Sequence, residues 1–327
     1  MNQERFIRTR EAAWNRLEQL LEPKKKKTKS GDNGGDEFPG LYREVCHDLA
    51  LARSRMYSRN LTDRLNHLVA RGHQQLYEAG HSPMRSVATY IAGGFAQRVR
   101  RQWPFVLASA ALLYLPFLIF LAAIQIHPDF VYTVLDGEEV RQVESMYNPA
   151  NRNGLGRDWE RRSDTDLMMF GYYIKNNTGI GFRTFAGGLL GGIGTLFFLV
   201  FNGIFFGAVA GHLTQIGYTS TFWSFVSGHS AMELNAIVLS GAAGLMIGYA
   251  LIAPGRRTRM RALREEARHA VEIMYGAAGM FFLAAMIEAF WSPSQMFPPE
   301  TKYVVGLMLW VLVLIYFLFG GRQREAG

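Results

Sequence analysis

Between Thr184 and Gly255 the chain carries a single Asp, Glu, Lys or Arg, which is Glu233. An apolar stretch that long cannot be one helix of a soluble core, because about 18 to 25 residues already span a bilayer. Several membrane crossings must be packed into it, and they must be helical, since helices satisfy their backbone hydrogen bonds internally in lipid. The mean hydropathy of the whole chain is nonetheless near zero. That average conceals a segregation of charge, for residues 1–102 hold 19 Lys and Arg against 11 Asp and Glu.

Three further segments are long and apolar enough to cross. Trp103 to Ile126 is uncharged, with Pro104 acceptable in a first helical turn and Pro116 expected to kink the middle. Ala270 to Phe290 and Tyr303 to Gly321 are joined by SPSQMFPPETK, whose prolines preclude a continuous helix. The N-terminus, MNQERFIRTREAAW, has no uninterrupted apolar run of the kind found in a cleavable signal, so the first hydrophobic helix is expected to direct insertion. The lone Cys46 excludes an intramolecular disulfide and a cysteine-built metal or redox site.

The basic region 1–102 reads as a helical domain. Phe6, Arg10, Trp14, Leu17 and Leu21 recur at three- and four-residue steps, and Pro23 ends that helix. KKKKTKSGDNGGDEF reads as a linker. Tyr42, Val45, Leu49, Ala52 and Met56 form one stripe and Leu61, Leu65, Leu68, Gly72 and Leu76 another, which predicts a helical hairpin. A third segment, Met84 to Arg101, ends in Arg98, Arg100 and Arg101 beside Trp103, a grouping suited to anionic lipid headgroups.

Residues 127–183, including NPANRNGLGRDWERRSD, read as a solvent-exposed loop whose last part, DLMMFGYYIKNN, lies along the membrane surface. The loop 255–269 sets the parity of the crossings. Arg256 to Arg268 holds six arginines against two glutamates, and a short loop of that kind belongs on the same side as the basic N-terminus. One crossing through Thr184 to Gly211 and one through Ser230 to Pro254 would put it on the wrong side. An extra crossing is therefore expected between Gly203 and Val226, with Asn202 and Gly203 as the break, or else a re-entrant pair of half-helices. The expected fold class is an all-α polytopic membrane bundle of about six crossings, or five plus a re-entrant element. The N-terminal domain, the arginine loop and the Arg322 to Arg324 tail would then be cytoplasmic.

Within the bundle 184–327, glycines recur at spacings of four: Gly187 and Gly191, Gly188 and Gly192, Gly203, Gly207 and Gly211, Gly244 and Gly248. Such faces let helices approach closely, either within one chain or between two copies, and a homodimer is one expectation. Polar residues in the stretch include Asn202, His212, His229, Glu233, Asn235 and Ser240. In SGHSAMELNAI, His229 and Glu233 stand four apart and share a helix face. Asn202, His229 and Glu233 are read as an intramembrane polar cluster, either hydrogen-bonded glue between helices or a site that handles ions. HSAME lacks the second histidine of a zinc-protease motif, and no Walker loop, dinucleotide fingerprint or nucleophile elbow is present. Neither a cofactor nor a metal is called for by any motif, and no nucleic-acid recognition motif accompanies the positive charge.

NNTGIGFRTFAGGLLGGIGTLFFLVFNGIFFGAVAG followed by HSAMELNAIVLSGAAGLMIGYALIAPG resembles the stage II sporulation protein M family. The residues that carry the likeness are Asn176 and Asn177, the glycine-rich helix through Asn202 and Gly203, the His229 to Glu233 pair, and Ser240 to Gly248 ending at Pro254. Ser230 stands where the family pattern has glycine. LYREVCHDLALARSRMY and LNHLVARGHQQLYEAG look like its longer members. The resemblance implies a multi-pass protein of a bacterial cytoplasmic membrane with no enzymatic activity. Members in spore formers organise peptidoglycan-degrading enzymes, so a scaffold for an envelope-associated complex is the leading expectation. The competing one is a transporter or channel for an ion, lipid or small solute.

Overall fold

The computed structural model describes residues 2–22, 34–78, 83–150, 163–294 and 296–322, and every regular element among them is helical. The core of the linker reading, 23–33, and the greater part of the turn-rich loop, 151–162, lie outside the described residues. So do the last residues of the tail. The chain divides into two compact units, Met1–Ala88 and Thr89–Gly327.

In the first unit, α1 (Gln3–Leu21), α2 (Gly34–Ser54) and α3 (Arg59–Glu78) pack on one another around Phe6, Trp14, Leu17, Val45, Leu49, Leu65 and Leu68. The stripes read from the sequence form this core, and each large side chain buried in it contributes roughly 1.5–3 kcal/mol. Two residues depart from the stripes. Met56 is 90% exposed in the α2–α3 turn, where its φ of 51° ends the helical run. Arg10 sits on the apolar face of α1 because Asp48 is buried beneath it. The Asp48 carboxylate accepts hydrogen bonds from Arg10 Nε at 3.0 Å and from Trp14 Nε1 at 2.9 Å. The last residues of the expected linker, from Gly34, already belong to α2.

The helix α4 (Pro83–Thr89) is joined to α5 (Phe95–Arg101) through residues 90–94, where the chain kinks at Gly93, whose φ of 175° and ψ of −21° are not helical. The sequence reading extended the N-terminal domain to residue 102. In the structure the residues from Thr89 onward belong to the membrane unit, because Phe95 packs on Gly276 and Tyr316.

Five helices are long and apolar enough to cross a membrane. These are α6 (Trp103–Ile126), then α9 (Ile193–Gln215), α10 (Thr219–Ile252), α11 (Arg259–Met286, continued by a π-helical turn to Trp291) and α12 (Pro299–Phe319), while α7 (Gly137–Tyr147) and α8 (Ser163–Ala186) lie between the first two. At 34 residues α10 is about 51 Å long, well beyond the ~30 Å hydrocarbon core. It is the central helix, touching α6, α8, α9, α11 and α12.

The helix α8, which is not among these five, packs lengthwise against α10 and α11. It lies parallel to α10, with Gly181 against Ser240 and Gly188 against Gly244. It is antiparallel to α11, with Phe170 against Phe290, Asn177 bonded to Glu288, and Gly181 against Phe281. Five helices and the adjacent α8 therefore run along the bundle, and the extra crossing expected between Gly203 and Val226 is not found there. No break occurs at Asn202 and Gly203, which lie inside uninterrupted α9, and residues 163–183 pack into the bundle rather than lying along its surface. The turn instead falls at Gly187–Gly192. Gly191 (φ 63°) and Gly192 (φ 84°) adopt the left-handed conformation there, reversing the chain from α8 into α9.

The glycine faces are filled from within the chain. Gly203, Gly207 and Gly211 receive Leu113, Phe117 and the Leu121–Ile124 turn of α6. Gly187 meets Gly194, Gly188 meets Gly244, and Gly192 meets Gly248. Since lipid competes for ordinary apolar contact, such close van der Waals packing is what joins helices in a bilayer. These faces are not available to a second copy in this fold. A dimer would have to use other surfaces.

Candidate functional site

One end of the bundle carries the arginine loop and the other carries α7. Near the α7 end, His229 and Glu233 lie one turn apart on α10, their Nε2 and Oε2 atoms 3.8 Å apart. The third member comes from α11. Its α-helix gives way at Ile287 to the π-helical turn Ile287–Trp291, and Glu288 in that turn joins the pair. One ring nitrogen of His229 and one carboxylate oxygen each from Glu233 and Glu288 lie within 4.8 Å of one another. Single π turns inside α-helices recur at functional sites.

Each member is held by a second residue. His229 Nδ1 is 3.1 Å from the Ser292 hydroxyl. Ser292 is fully buried, its amide closes the π turn onto Ile287, and its carbonyl accepts from Lys302 Nζ at 2.7 Å. Asn177 Nδ2 donates to Glu288 Oε2 at 3.1 Å, and Asn176 Nδ2 donates to Asn177 Oδ1 at 3.2 Å. The paired asparagines thus orient a carboxylate.

The cluster borders a cavity of about 450 Å³, lined also by Tyr114, Phe206, Val209, Phe225 and Trp310. Tyr147, at the end of α7, lines it as well. Burial, followed by the nearby carboxylates of Glu288 and Glu233, pushes the Tyr147 hydroxyl above the usual phenol range, so it remains a hydrogen-bond donor. The Tyr114 hydroxyl is buried and has no hydrogen-bond partner among the described residues.

Above the cavity, α7 is pinned to the bundle. It begins with a capping box formed by Asp136 and Glu139. Glu144 Oε1 then lies 2.8 Å from His212 Nε2 on α9, and Thr221 Oγ1 donates to the Tyr147 carbonyl.

Of the expected polar cluster, the structure brings His229 and Glu233 together and leaves Asn202 apart from them. Asn202 turns back on its own helix, donating to the Phe198 carbonyl at 2.6 Å, and lines no part of the cavity. Glu288 went unread because it lies far from His229 in sequence, and its only signal is that no other charged residue occurs between Glu272 and Glu300. The headgroup arginines also divide. Arg98 pairs with Glu272 at 2.6 Å and lies over the Tyr90 ring. Arg100 donates to the carbonyls of Phe317 and Gly320 at 2.8 Å each, capping α12. Arg101 and Trp103 are exposed as the reading requires.

Comparison with known sequences assigns most of this unit to one family. Residues 110–293 match the family described as stage II sporulation protein M, and residues 4–78 match a domain of unknown function, DUF8413. No curated protein matches the chain, and no solved structure does.

Proposed function

The chain belongs to the stage II sporulation protein M family, and from that premise we propose that it is a non-enzymatic membrane scaffold for an envelope-associated complex. It resides in the bacterial inner membrane with its N-terminal domain and arginine loop in the cytoplasm. The observation that carries this reading is the contact of backbone on backbone between helices. Gly188 meets Gly244, and Gly203 and Gly207 meet the Leu113 and Phe117 backbone. A carrier must let one group of helices rock or slide past another. Contacts with no intervening layer of side chains resist that motion and suit a frame that holds partners in fixed relation. The cytoplasmic domain offers one docking element and α7 another, while exposed Arg101 beside Trp103 suits anionic headgroups.

A second reading, transport of an ion or small solute, is favoured by one observation, the cavity beside Glu233 and Glu288. A crosslink separates the two. Ser230 on α10 accepts a hydrogen bond from Trp310 Nε1 on α12 at 3.1 Å, and both line the cavity, so Ser230→Cys with Trp310→Cys, in a Cys46→Ser background, can be bridged by a short reducible bifunctional thiol reagent. Crosslinked protein that still complements a deletion strain supports the scaffold. Complementation that is lost on crosslinking and restored on reduction supports transport.

A further inference from the structure

We propose that His229, Glu233 and Glu288 form a binding site for one divalent transition-metal cation, which ties α10 to α11. The inference stands apart from the choice between scaffold and carrier, because it rests on the local chemistry of the cluster.

Two carboxylates this close inside a membrane bundle cannot both stand ionised without a compensating positive charge. A divalent ion balances them and leaves the three-residue site with no net charge. The distances allow it. Three atoms each 4.8 Å apart share a point about 2.8 Å from each, so rotamer adjustments of under about 1 Å reach metal–ligand bonds of about 2.0–2.2 Å.

The orientation of the donors is already set. The Ser292 hydroxyl engages Nδ1 of His229, which leaves Nε2 as the nitrogen facing Glu233. Metal-ligating histidines are ordinarily fixed through their second nitrogen in this way. Asn177 occupies one oxygen of Glu288 and leaves the other for an ion. The cavity supplies room for water or an exogenous ligand in the remaining coordination positions, and the unpartnered Tyr114 hydroxyl on its wall is a group such a ligand would satisfy. An imidazole nitrogen with two carboxylates selects zinc or manganese over magnesium or calcium, which prefer all-oxygen sites.

The test uses the full-length, tag-free protein in nanodiscs, stripped with chelator and then equilibrated with zinc or manganese in the presence of excess magnesium. One zinc or manganese per chain is expected by elemental analysis, with a zinc-dependent rise in unfolding temperature. Pulsed electron paramagnetic resonance on the manganese form should show coupling to a ¹⁴N nucleus, which reports the imidazole without any substitution. Glu233→Gln and Glu288→Gln should each lose stoichiometric metal, Glu288→Asp should retain it with lower affinity, and Ser292→Ala should weaken it about tenfold or more as a positioning residue. The proposal is overturned if the wild type takes up no stoichiometric metal, if the ¹⁴N coupling is missing, or if the Glu233→Gln/Glu288→Gln double variant binds as well as the wild type.

Discussion

Gly188 and Gly244 pack backbone against backbone, so that a methyl group on Gly188 would fall on the carbonyl oxygen of Gly244. Neither backbone can yield without moving its helix. Gly188→Ala should therefore destabilise the bundle by about 1–3 kcal/mol. Gly279→Ala on α11, where an added methyl would meet nothing within 4 Å, should be neutral or stabilising by up to about 1 kcal/mol through helix propensity. Thermal unfolding of both variants in one detergent compares them directly. Equal effects would refute the packing of α8 on α10.

The end of α12 depends on a side chain from another helix. With two hydrogen bonds from Arg100 to the Phe317 and Gly320 carbonyls, Arg100→Gln should lower stability by about 1.5 kcal/mol, the low end for charge-assisted bonds because the side chain is half-buried. Limited proteolysis should clip the C-terminus beyond Phe319 faster in the variant. An unchanged cleavage rate would show that the cap does not hold this end.

The His212–Glu144 contact predicts that docking of α7 is separable from folding of the bundle. Glu144→Ala should speed hydrogen exchange across Gly137–Tyr147 while leaving the middle of α10 protected. A double-mutant cycle with His212→Ala should return a coupling of about 0.5–3 kcal/mol, and additivity would remove the contact from the account.

Orientation is tested at two exposed, uncharged positions at opposite ends of the bundle. In a Cys46→Ser background, Gln142→Cys should react with an impermeant thiol reagent in intact cells, and Met260→Cys should react only after permeabilisation. The reverse pattern would invert the proposed topology.

How far the sequence could be read depended on whether a position's neighbours were local. The N-terminal core was legible because its stripes, Phe6 to Leu21 and Leu61 to Leu68, are helical repeats that need only one face. The need for a further element beside the apolar helices was read from parity, because six arginines in a short loop constrain it whichever helix supplies the crossing. That α8 belongs to the bundle could not be read, since it carries Asp164, Asp166, Lys175 and Arg183 and the residues it buries are Asn177, Gly181 and Thr184 rather than a stripe of large apolar side chains. His229 and Glu233 were found by their four-residue spacing. Glu288 joins them through a π turn and the antiparallel run of α8 beside α11, and neither leaves a periodic trace.

The glycine turn between α8 and α9 also bears on how the protein is made. With four charged residues, α8 partitions poorly into lipid by itself, whereas α9 is uncharged and inserts readily. A connection as short as Gly187–Gly192 leaves no slack for one helix to enter long before the other. During synthesis α8 must wait at the insertion machinery until α9 has emerged, and the two then enter as a hairpin whose polar face is shielded only when α10 and α11 arrive.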